Sequence, residues 1–379
     1  PMKFLRRTPP VGLATAVALG FVSFLALSQG EAPPASADSD PSVLVAETMP
    51  LATRSLILDI TSGDSRAIAV GERGHILVSE SRSDWRQVEG VPTRSTLTAV
   101  TTVGEHAWAV GHDGVILHSA DGGLTWERQR EAPFDPDSME PTNGAPLLDV
   151  LFLNETDGFA IGGYSMLLRT RDGGGTWEES TITATAAEAP ATADAPLDAE
   201  PAADDEAAGD ESWTFDDSQL DLDAESDPHL NAIARTGDGS LMVMAERGSA
   251  FRSTDGGDTW QRLQLPYAGS MFGVLGFDGR HVLAFGMRGR AFETTDLGET
   301  WTLIDTGTEL SLLGGVGWAN GGAALVGANG IVLTRSEGGS NLLKHEHPDQ
   351  AVLSSAIALA PNGALVVVGE KGVGGWSPN

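Results

Sequence analysis

Short apolar runs recur along the chain in pairs, and a tight polar turn follows the second run of each pair. The second run ends in a small marker residue, usually glycine, and successive markers lie 40, 51, 83, 41, 41 and 42 residues apart. A period near 40 residues with four strands in each unit is typical of a β-propeller blade. Two of the steps contain insertions, and the others agree closely. The markers are Gly71, Gly111, Gly162, Ala245, Gly286, Gly327 and Gly369.

These units predict an all-β fold, a seven-bladed β-propeller with four-stranded blades. The last unit stops soon after its third strand at 372–376, whereas a spare strand, S-V-L-V-A-E-T at 42–48, precedes the first unit. We expect this N-terminal strand to complete the last blade, because such closure removes an open sheet edge. The first strands of the seven units are predicted to begin near Leu56, Leu97, Leu147, Leu230, Phe272, Leu312 and Leu353.

A D-G-G-x-T-W box follows the third strand of several units. It reads S-A-D-G-G-L-T-W at 119–126 and returns at 170–177, 253–260 and 294–301, with irregular copies at 79–85 and 334–341. The aspartate can accept hydrogen bonds from the backbone of its own turn, and the tryptophan can pack between blades at the outer rim. Four equivalent copies indicate architecture, because a catalytic site needs one. The residues concerned are Asp121, Trp126, Asp172, Trp177, Asp255, Trp260, Asp296 and Trp301.

The N-terminus has the layout of a secretory signal peptide. Basic residues precede an apolar run at 11–27, and the small residues Ala35-Ser36-Ala37 follow it. We expect residues 1–37 to be a signal peptide, with an uncleaved N-terminal anchor as the alternative. Residues 38–379 are then a single β-propeller domain that is exported to the periplasm, and that is tethered to the inner membrane if the segment is retained.

Two insertions lengthen the connections between units. Residues 131–146 form the smaller one, and residues 184–228 form an acidic one with 15 Asp and Glu and no Lys or Arg. This composition predicts disorder when the segment is alone. Trp213 and Phe215 lie within the acidic segment and could anchor it on a partner or on the propeller itself. The alternative is a solvating spacer.

The turn between the second and third strands predicts a basic face. In four of the seven units, the second residue after the marker is basic, in a chain with only 23 Lys and Arg. In a propeller this turn lies on the same face as the connections between blades, so the charges should collect near one end of the central channel. The alternative is that they are ordinary solvated turn residues. The residues of this predicted basic face are Arg73, Arg247, Arg288, Lys371, Arg290 and Arg94.

Composition limits the chemistry. The formal net charge of −30 argues against nucleic-acid binding, and the lack of cysteine excludes disulfides and thiolate metal sites. Neither a phosphate-binding loop nor a G-x-S-x-G elbow is present. A sialidase would need a tyrosine nucleophile, and only Tyr164 and Tyr267 exist. We expect no catalytic residue, cofactor or metal site, and no small-molecule substrate.

Two stretches resemble the photosystem II stability/assembly factor family. They are A-V-G-H-D-G-V-I-L-H-S-A-D-G-G-L-T-W at 109–126 and A-I-G-G-Y-S-M-L-L-R-T-R-D-G-G-G-T-W at 160–177. The resemblance implies a seven-bladed, non-enzymatic, exported propeller that assists assembly of a membrane complex. It also implies that a basic patch meets the client, and Arg73, Arg247, Arg288 and Lys371 match by repeat position.

The resemblance extends to a non-photosynthetic bacterial branch, some of whose members are encoded beside transporters of the resistance-nodulation-division type. The sequence therefore favours a binding platform that is an accessory or assembly factor for an integral membrane protein complex, with such a transporter as the first choice of client. A photosystem II-type assembly factor is the second interpretation. A periplasmic sialidase-like glycan-processing enzyme is the third.

Overall fold

The computed structural model describes residues 44–180, 182, 185–186, 227–359 and 363–378. The expected signal segment and the expected anchors Trp213 and Phe215 lie outside these residues. The described chain folds into seven small antiparallel sheets, which follow one another around a ring in chain order. The seven-bladed β-propeller is therefore confirmed.

Blades one to three each contain four strands, ordered from the channel outwards. Blade one consists of β1 (Ile57–Ser62), β2 (Ala67–Gly71), β3 (Ile76–Ser79) and β4 (Arg86–Gln87). Blade two consists of β5 (Leu97–Val103), β6 (His106–Gly111), β7 (Ile116–Ser119) and β8 (Glu127–Arg130). Blade three consists of β9 (Leu147–Phe152), β10 (Gly158–Gly162), β11 (Leu167–Thr170) and β12 (Glu178–Glu179).

Blades four to seven continue the pattern with two variations. A short strand, β13 (Thr185–Ala186), adds in parallel to the outer edge of blade four, whose own strands are β14 (Leu230–Arg235), β15 (Leu241–Ala245), β16 (Ser249–Ser253) and β17 (Gln261–Gln264). Blade five consists of β18 (Met271–Gly276), β19 (Val282–Gly286), β20 (Ala291–Thr294) and β21 (Thr302–Ile304). Blade six consists of β22 (Leu312–Trp318), β23 (Gly322–Gly327), β24 (Ile331–Arg335) and β25 (Leu343–Glu346). Blade seven has three strands within the described residues, β26 (Leu353–Ala358), β27 (Leu365–Gly369) and β28 (Gly372–Trp376).

Burial explains why the second strand of each blade is so apolar. Every residue of β2, β15 and β27 is buried, because neighbouring blades cover both faces of the sheet. The first strand of each blade contains a bulge at its second residue, as between Ile57 and Asp59. Single-turn 3-10 helices occupy Ala52–Arg54, Glu72–Gly74, His112–Gly114, Met287–Gly289, Ala319–Gly321 and Ala328–Gly330. Within the described ranges, no helix has both the length and the apolarity to span a bilayer.

The prediction that 42–48 completes the last blade is wrong for its described part. The N–H of Ala46 donates to Val91 O at 2.9 Å, and the side chain of Ala46 packs between blades one and two. Because β4 is only two residues long, it leaves the Val91 carbonyl available to this segment. At blade seven, the 3-10 turn Ala52–Arg54 lies against Gly372, whose Cβ would be 2.0 Å from Thr53 O. The ring closes instead by packing of β26 and β27 on β1.

Candidate partner-binding face

The turns between the second and third strands present an exposed residue in the left-handed region of backbone conformation. Arg73, Arg247 and Arg288 have φ values of 57°, 56° and 54°, and their side chains are exposed. The glycine that follows each of these arginines packs closely against the backbone of the connection that leaves the same blade. A Cβ on Gly74, for example, would be 2.3 Å from Thr93 O. These turns and the blade connections therefore form one face, here called the connection face.

The predicted basic residues fall into two sectors of this face. Lys371 and Arg73 belong to the adjacent blades seven and one, whereas Arg247, Arg288 and Arg290 belong to the adjacent blades four and five. The same turn position holds Asp113, Tyr164 and Asn329 in blades two, three and six. The positive charge is therefore concentrated in two separate pairs of blades.

Arg290 and Arg94 differ from the exposed turn arginines. The guanidinium of Arg290 lies 5.9 Å from the centre of the Tyr267 ring. Arg288 and Arg290 both line a groove of about 560 Å³ beside the connection from blade five to blade six. Arg94 forms a 3.0 Å ion pair with Glu47 and donates from Nε to Val45 O at 2.9 Å. Its charge is therefore partly neutralised by the N-terminal segment.

Two apolar residues on the connection face were missed by sequence reasoning. Phe134 is 68% exposed and Met139 is 96% exposed, both in the 131–146 loop. Asn143 holds this loop by donating from Nδ2 to Asp135 O at 2.7 Å and accepting the Asp135 N–H at 2.8 Å. The proline-flanked P-F-D-P sequence could have drawn attention to Phe134, because an apolar residue between turn-forming residues has no place in a strand.

The predicted box residues lie at the opposite face, which we call the box face. In blade four, Asp255 accepts hydrogen bonds from Ser253 Oγ at 2.7 Å, from the Thr259 N–H at 3.0 Å and from Thr259 Oγ1 at 2.5 Å. The hydrogen bonds from Thr259 lower the pKa of Asp255 to about 2, which outweighs the opposing effect of its slight burial. Asp121, Asp172 and Asp296 make the equivalent bonds to Ser119 and Thr125, Thr170 and Thr176, and Thr294 and Thr300.

Each box packs against the preceding blade. A Cβ on Gly123 would be 2.6 Å from Ile68, and one on Gly257 would be 2.3 Å from Phe159. The box tryptophans lie beside these contacts. Trp126 and Trp260 are buried, whereas Trp177 and Trp301 are half-buried against their clusters. The boxes thus link neighbouring blades.

The central channel contains two half-buried carboxyl groups that sequence reasoning also missed. Asp59 and Asp149 occupy the same position of β1 and β9, and both line the channel. Burial raises the pKa of Asp59 to about 6, although hydrogen bonds from the Val100 N–H and from Ser355 act to lower it. Burial raises the pKa of Asp149 to about 7, against the hydrogen bond from the Ile233 N–H, and the charge of Asp59 adds to the rise.

The two tyrosines considered for a sialidase lie on different blades. Tyr164 is exposed and packs edge-on against His229. Tyr267 lies over Phe292, and its hydroxyl donates to Met287 O at 3.4 Å. Both therefore make contacts within the connection face.

Comparisons with known proteins agree with this architecture. A family model for the BNR/Asp-box repeat matches residues 251–262, the box of blade four. The chain is 40% identical over 130 residues to the photosystem II assembly protein Ycf48 of Thermosynechococcus vestitus. The aligned region covers 34% of this chain and 38% of that protein. It is 39% identical over 139 residues to the photosystem II assembly lipoprotein Ycf48 of Prochlorococcus marinus, covering 35% and 40% respectively. The alignments thus span less than half of each curated relative.

The solved structures include one described as YCF48 bound to D1 peptide. It superposes with a TM-score of 0.57 at 16% identity and covers 91% of this chain and 97% of that one. An identity this low supports the fold alone. Together with the sequence relatives and the repeat match, it confirms the family resemblance found from the motifs. The chain is an Asp-box β-propeller similar to the photosystem II stability/assembly factors.

Proposed function

We propose that this chain is an exported, non-enzymatic binding platform that assists the assembly of an integral membrane protein. The observation that carries the proposal is the set of exposed basic residues on the connection face. Arg73, Arg247 and Arg288 occupy tight turns of the same left-handed conformation, so each blade presents its arginine in the same way. The names of the relatives support the role, because they are photosystem II assembly proteins and one similar structure holds a D1 peptide.

The client is proposed only as an integral membrane protein. Nothing in the relatives favours a transporter of the resistance-nodulation-division type, which the sequence placed first. Photosystem II is the complex named for the relatives, and this favours the assembly-factor interpretation over the glycan-processing one. Export is supported by the leader pattern at 1–37 and by the lipoprotein relative.

The chemistry of the face indicates which part of a client it would contact. Guanidinium groups bind carboxylates through charge-assisted hydrogen bonds. The groove beside Arg288 and Arg290 has room for an extended segment, and the exposed Phe134 and Met139 offer apolar contact on the same face. We therefore infer that the client presents a short acidic or carboxyl-bearing segment with apolar neighbours.

The test replaces Arg73, Arg247 and Arg288 together with asparagine. Asparagine already occupies this turn position at Asn329 with φ 52°, so the turn geometry is retained while the charge is lost. A matched control replaces three arginines that are exposed at the box face with asparagine, and so changes the net charge equally. These are Arg171, Arg235 and Arg280.

Each protein is used to capture partners from membranes in mild detergent, and bound proteins are quantified by mass spectrometry at two salt concentrations. We expect the connection-face variant to lose its membrane-protein partners at least tenfold while the box-face variant retains them. Equal capture by both variants, with the same salt dependence, would contradict the proposal.

A further inference from the structure

Blade one lacks the aspartate that organises the boxes of blades two to five. In blades two to five, a buried Ser or Thr ends the third strand, and its hydroxyl donates to the box aspartate two residues later. The same hydroxyl accepts the N–H of the second box glycine, for instance Gly123 to Ser119 at 2.9 Å. The hydroxyl is therefore fully used wherever the aspartate is present.

The turn of blade one keeps the hydroxyl but lacks the aspartate that it binds in the regular boxes. Ser79 ends β3 and is only 3% exposed, but Ser81 stands where the other blades have aspartate. Ser81 Oγ accepts the Asp84 N–H at 3.0 Å, so it replaces the aspartate as an acceptor for its own turn. It does not replace the bond to Ser79, whose Oγ has no hydrogen-bond partner among the described residues.

Arg66, in the turn between β1 and β2, supplies a second buried donor near Ser79. Arg66 Nη1 donates to Asp121 O at 2.7 Å and to Gly122 O at 2.9 Å, which fixes the guanidinium against the box of blade two. Its Nε is buried and, like Ser79 Oγ, has no partner in the described part of the chain. Burying such a group without a partner is unfavourable, and a ligand that accepts its hydrogen bond removes that penalty. Both residues line a cavity of about 510 Å³ on the box face.

The remaining lining of this cavity fits a small acid. Val78 and Trp85 supply apolar surface, and Arg86 adds a positive charge. Glu80 and Asp84 also contribute to the lining, and Glu80 lies 4.0 Å from Arg66 Nη2 while remaining largely exposed. The hydroxyl of Ser79, the guanidinium groups of Arg66 and Arg86 and an aromatic wall favour a ligand with one carboxylate and a short apolar body.

We propose that this cavity, here called the blade-one cavity, binds a carboxylate in the position that the aspartate occupies in the regular boxes. Ser79 Oγ and Arg66 Nε have almost no accessible surface, so binding requires a shift of the turn at Ser81. The ligand's oxygens then accept hydrogen bonds from both atoms, and its apolar part contacts Trp85. The carboxylate belongs either to a free small acid or to the C-terminus of a peptide. The site lies on the face opposite the proposed client-binding residues, so it is independent of them.

Binding is measured with the full chain by saturation-transfer NMR and calorimetry in a buffer free of carboxylates. The probes are acetate, the peptide acetyl-Gly-Ala with a free C-terminus, and the same peptide as its amide. We expect saturable binding of a carboxylate and none of the amide. Binding of acetate alone identifies a small acid, and tighter binding of the free peptide identifies a C-terminus. If neither carboxylate binds saturably, the proposal is overturned.

Three variants locate the site. Ser81→Asp restores the box carboxylate, so it should abolish probe binding and raise the melting temperature. Ser79→Ala should weaken binding at least tenfold, and Ser83→Ala, an exposed residue of the same turn, should leave it unchanged. If Ser81→Asp does not fold, the Ser79→Ala and Ser83→Ala pair decides, and equal affinity in both overturns the assignment.

Discussion

Asp149 Oδ2 accepts a hydrogen bond of 2.8 Å from the backbone N–H of Ile233, which joins the innermost strand of blade three to that of blade four. Similar bonds join other neighbouring blades around the channel. They run from the Val100 N–H to Asp59 at 2.9 Å, from Thr98 to Leu147 O at 2.7 Å, from Asn231 to Met271 O at 3.0 Å and from Ser354 to Ile57 O at 2.8 Å. The polar residues of the channel thus act as links between blades.

The two carboxyl links should make stability depend on pH in an unusual direction. Burial raises the pKa of Asp59 to about 6 and of Asp149 to about 7, against 3.8 for an unperturbed aspartate. Between pH 3.8 and these raised pKa values, the folded chain binds more protons than the unfolded chain, so stability rises as pH falls. The contribution is fully present below about pH 4 and is lost as pH rises through 6 to 7.

Asp149→Asn keeps an acceptor for the Ile233 N–H and removes the charge. We expect the variant to be more stable than the parent by about 1–3 kcal/mol at pH 8, with the difference shrinking by pH 5. Urea denaturation at several pH values measures this. Asp64→Asn, at an exposed loop position, controls for net charge. A parallel pH dependence in parent and Asp149→Asn would show that Asp149 does not titrate in this range.

The blade repeat could be predicted because geometry demands the marker glycine. A Cβ on Gly71 would be 2.2 Å from Leu56 O, and one on Gly111 would be 2.1 Å from Thr96 O. Blade four has Ala245 at this position, and there the bond from the Glu246 N–H to His229 O is 3.3 Å, against about 3.0 Å elsewhere. Because the same close backbone contact recurs in the other six blades, glycine recurs at the marker position of the sequence.

The closure and the channel acids could not be predicted, because they follow no repeat. Counting strands suggested a missing fourth strand in blade seven, but the course of residues 44–48 is decided by a local gap between blades one and two that Ala46 fills. Asp59 and Asp149 occupy a position that holds Ala99, Ala232, Gly273, Gly314 and Ser355 in the other blades. Only the folded ring shows that this position lines the channel.

The box aspartates should each contribute measurable stability. Asp255→Ala removes three hydrogen bonds of its turn, and we expect a loss of about 2 kcal/mol, with a smaller loss for Asp255→Asn. Because hydrogen bonding lowers the pKa of Asp255 to about 2, its contribution should be lost as pH falls from about 4 towards 2. Urea denaturation measures both effects, with Asp278→Ala as an exposed control. Equal losses in the two alanine variants would contradict a specific role for the box.

Blade six replaces the box hydroxyl by a buried arginine that pairs with a half-buried glutamate. Arg335 is 1% exposed, stands where the regular boxes have Ser or Thr, and donates to Gly321 O and to Glu293, both at 2.6 Å. Burial would raise the pKa of Glu293, but hydrogen bonds from His281 and Arg335 hold it below its usual value. Arg335→Ala should cost about 3 kcal/mol, because it removes the hydrogen bonds to Gly321 O and Glu293 and leaves the Glu293 carboxylate with His281 alone.

A double-mutant cycle separates this pair from the packing around it. Arg335→Met combined with Glu293→Met should cost less than the sum of the two single changes, because neither charge is then left alone. Thermal and urea unfolding of the four proteins give the coupling energy. Strict additivity of the two changes would mean that the pair makes no net contribution, and the irregular box would then need another explanation.

The path of the N-terminal segment can be tested by crosslinking, since the chain has no cysteine of its own. Ala46 is 8% exposed, and its N–H lies 2.9 Å from Val91 O, so Ala46→Cys with Val91→Cys should form a disulfide spontaneously. That bond should stabilise the fold by about 2–4 kcal/mol. The control pair, Ala46→Cys with Gly374→Cys, places the second thiol on β28, where a strand completing blade seven would pair. Mass spectrometry of the unreduced proteins gives the yield of each link. A disulfide at 46–374 in preference to 46–91 would restore the closing strand and show that residues 44–48 leave blade one in solution.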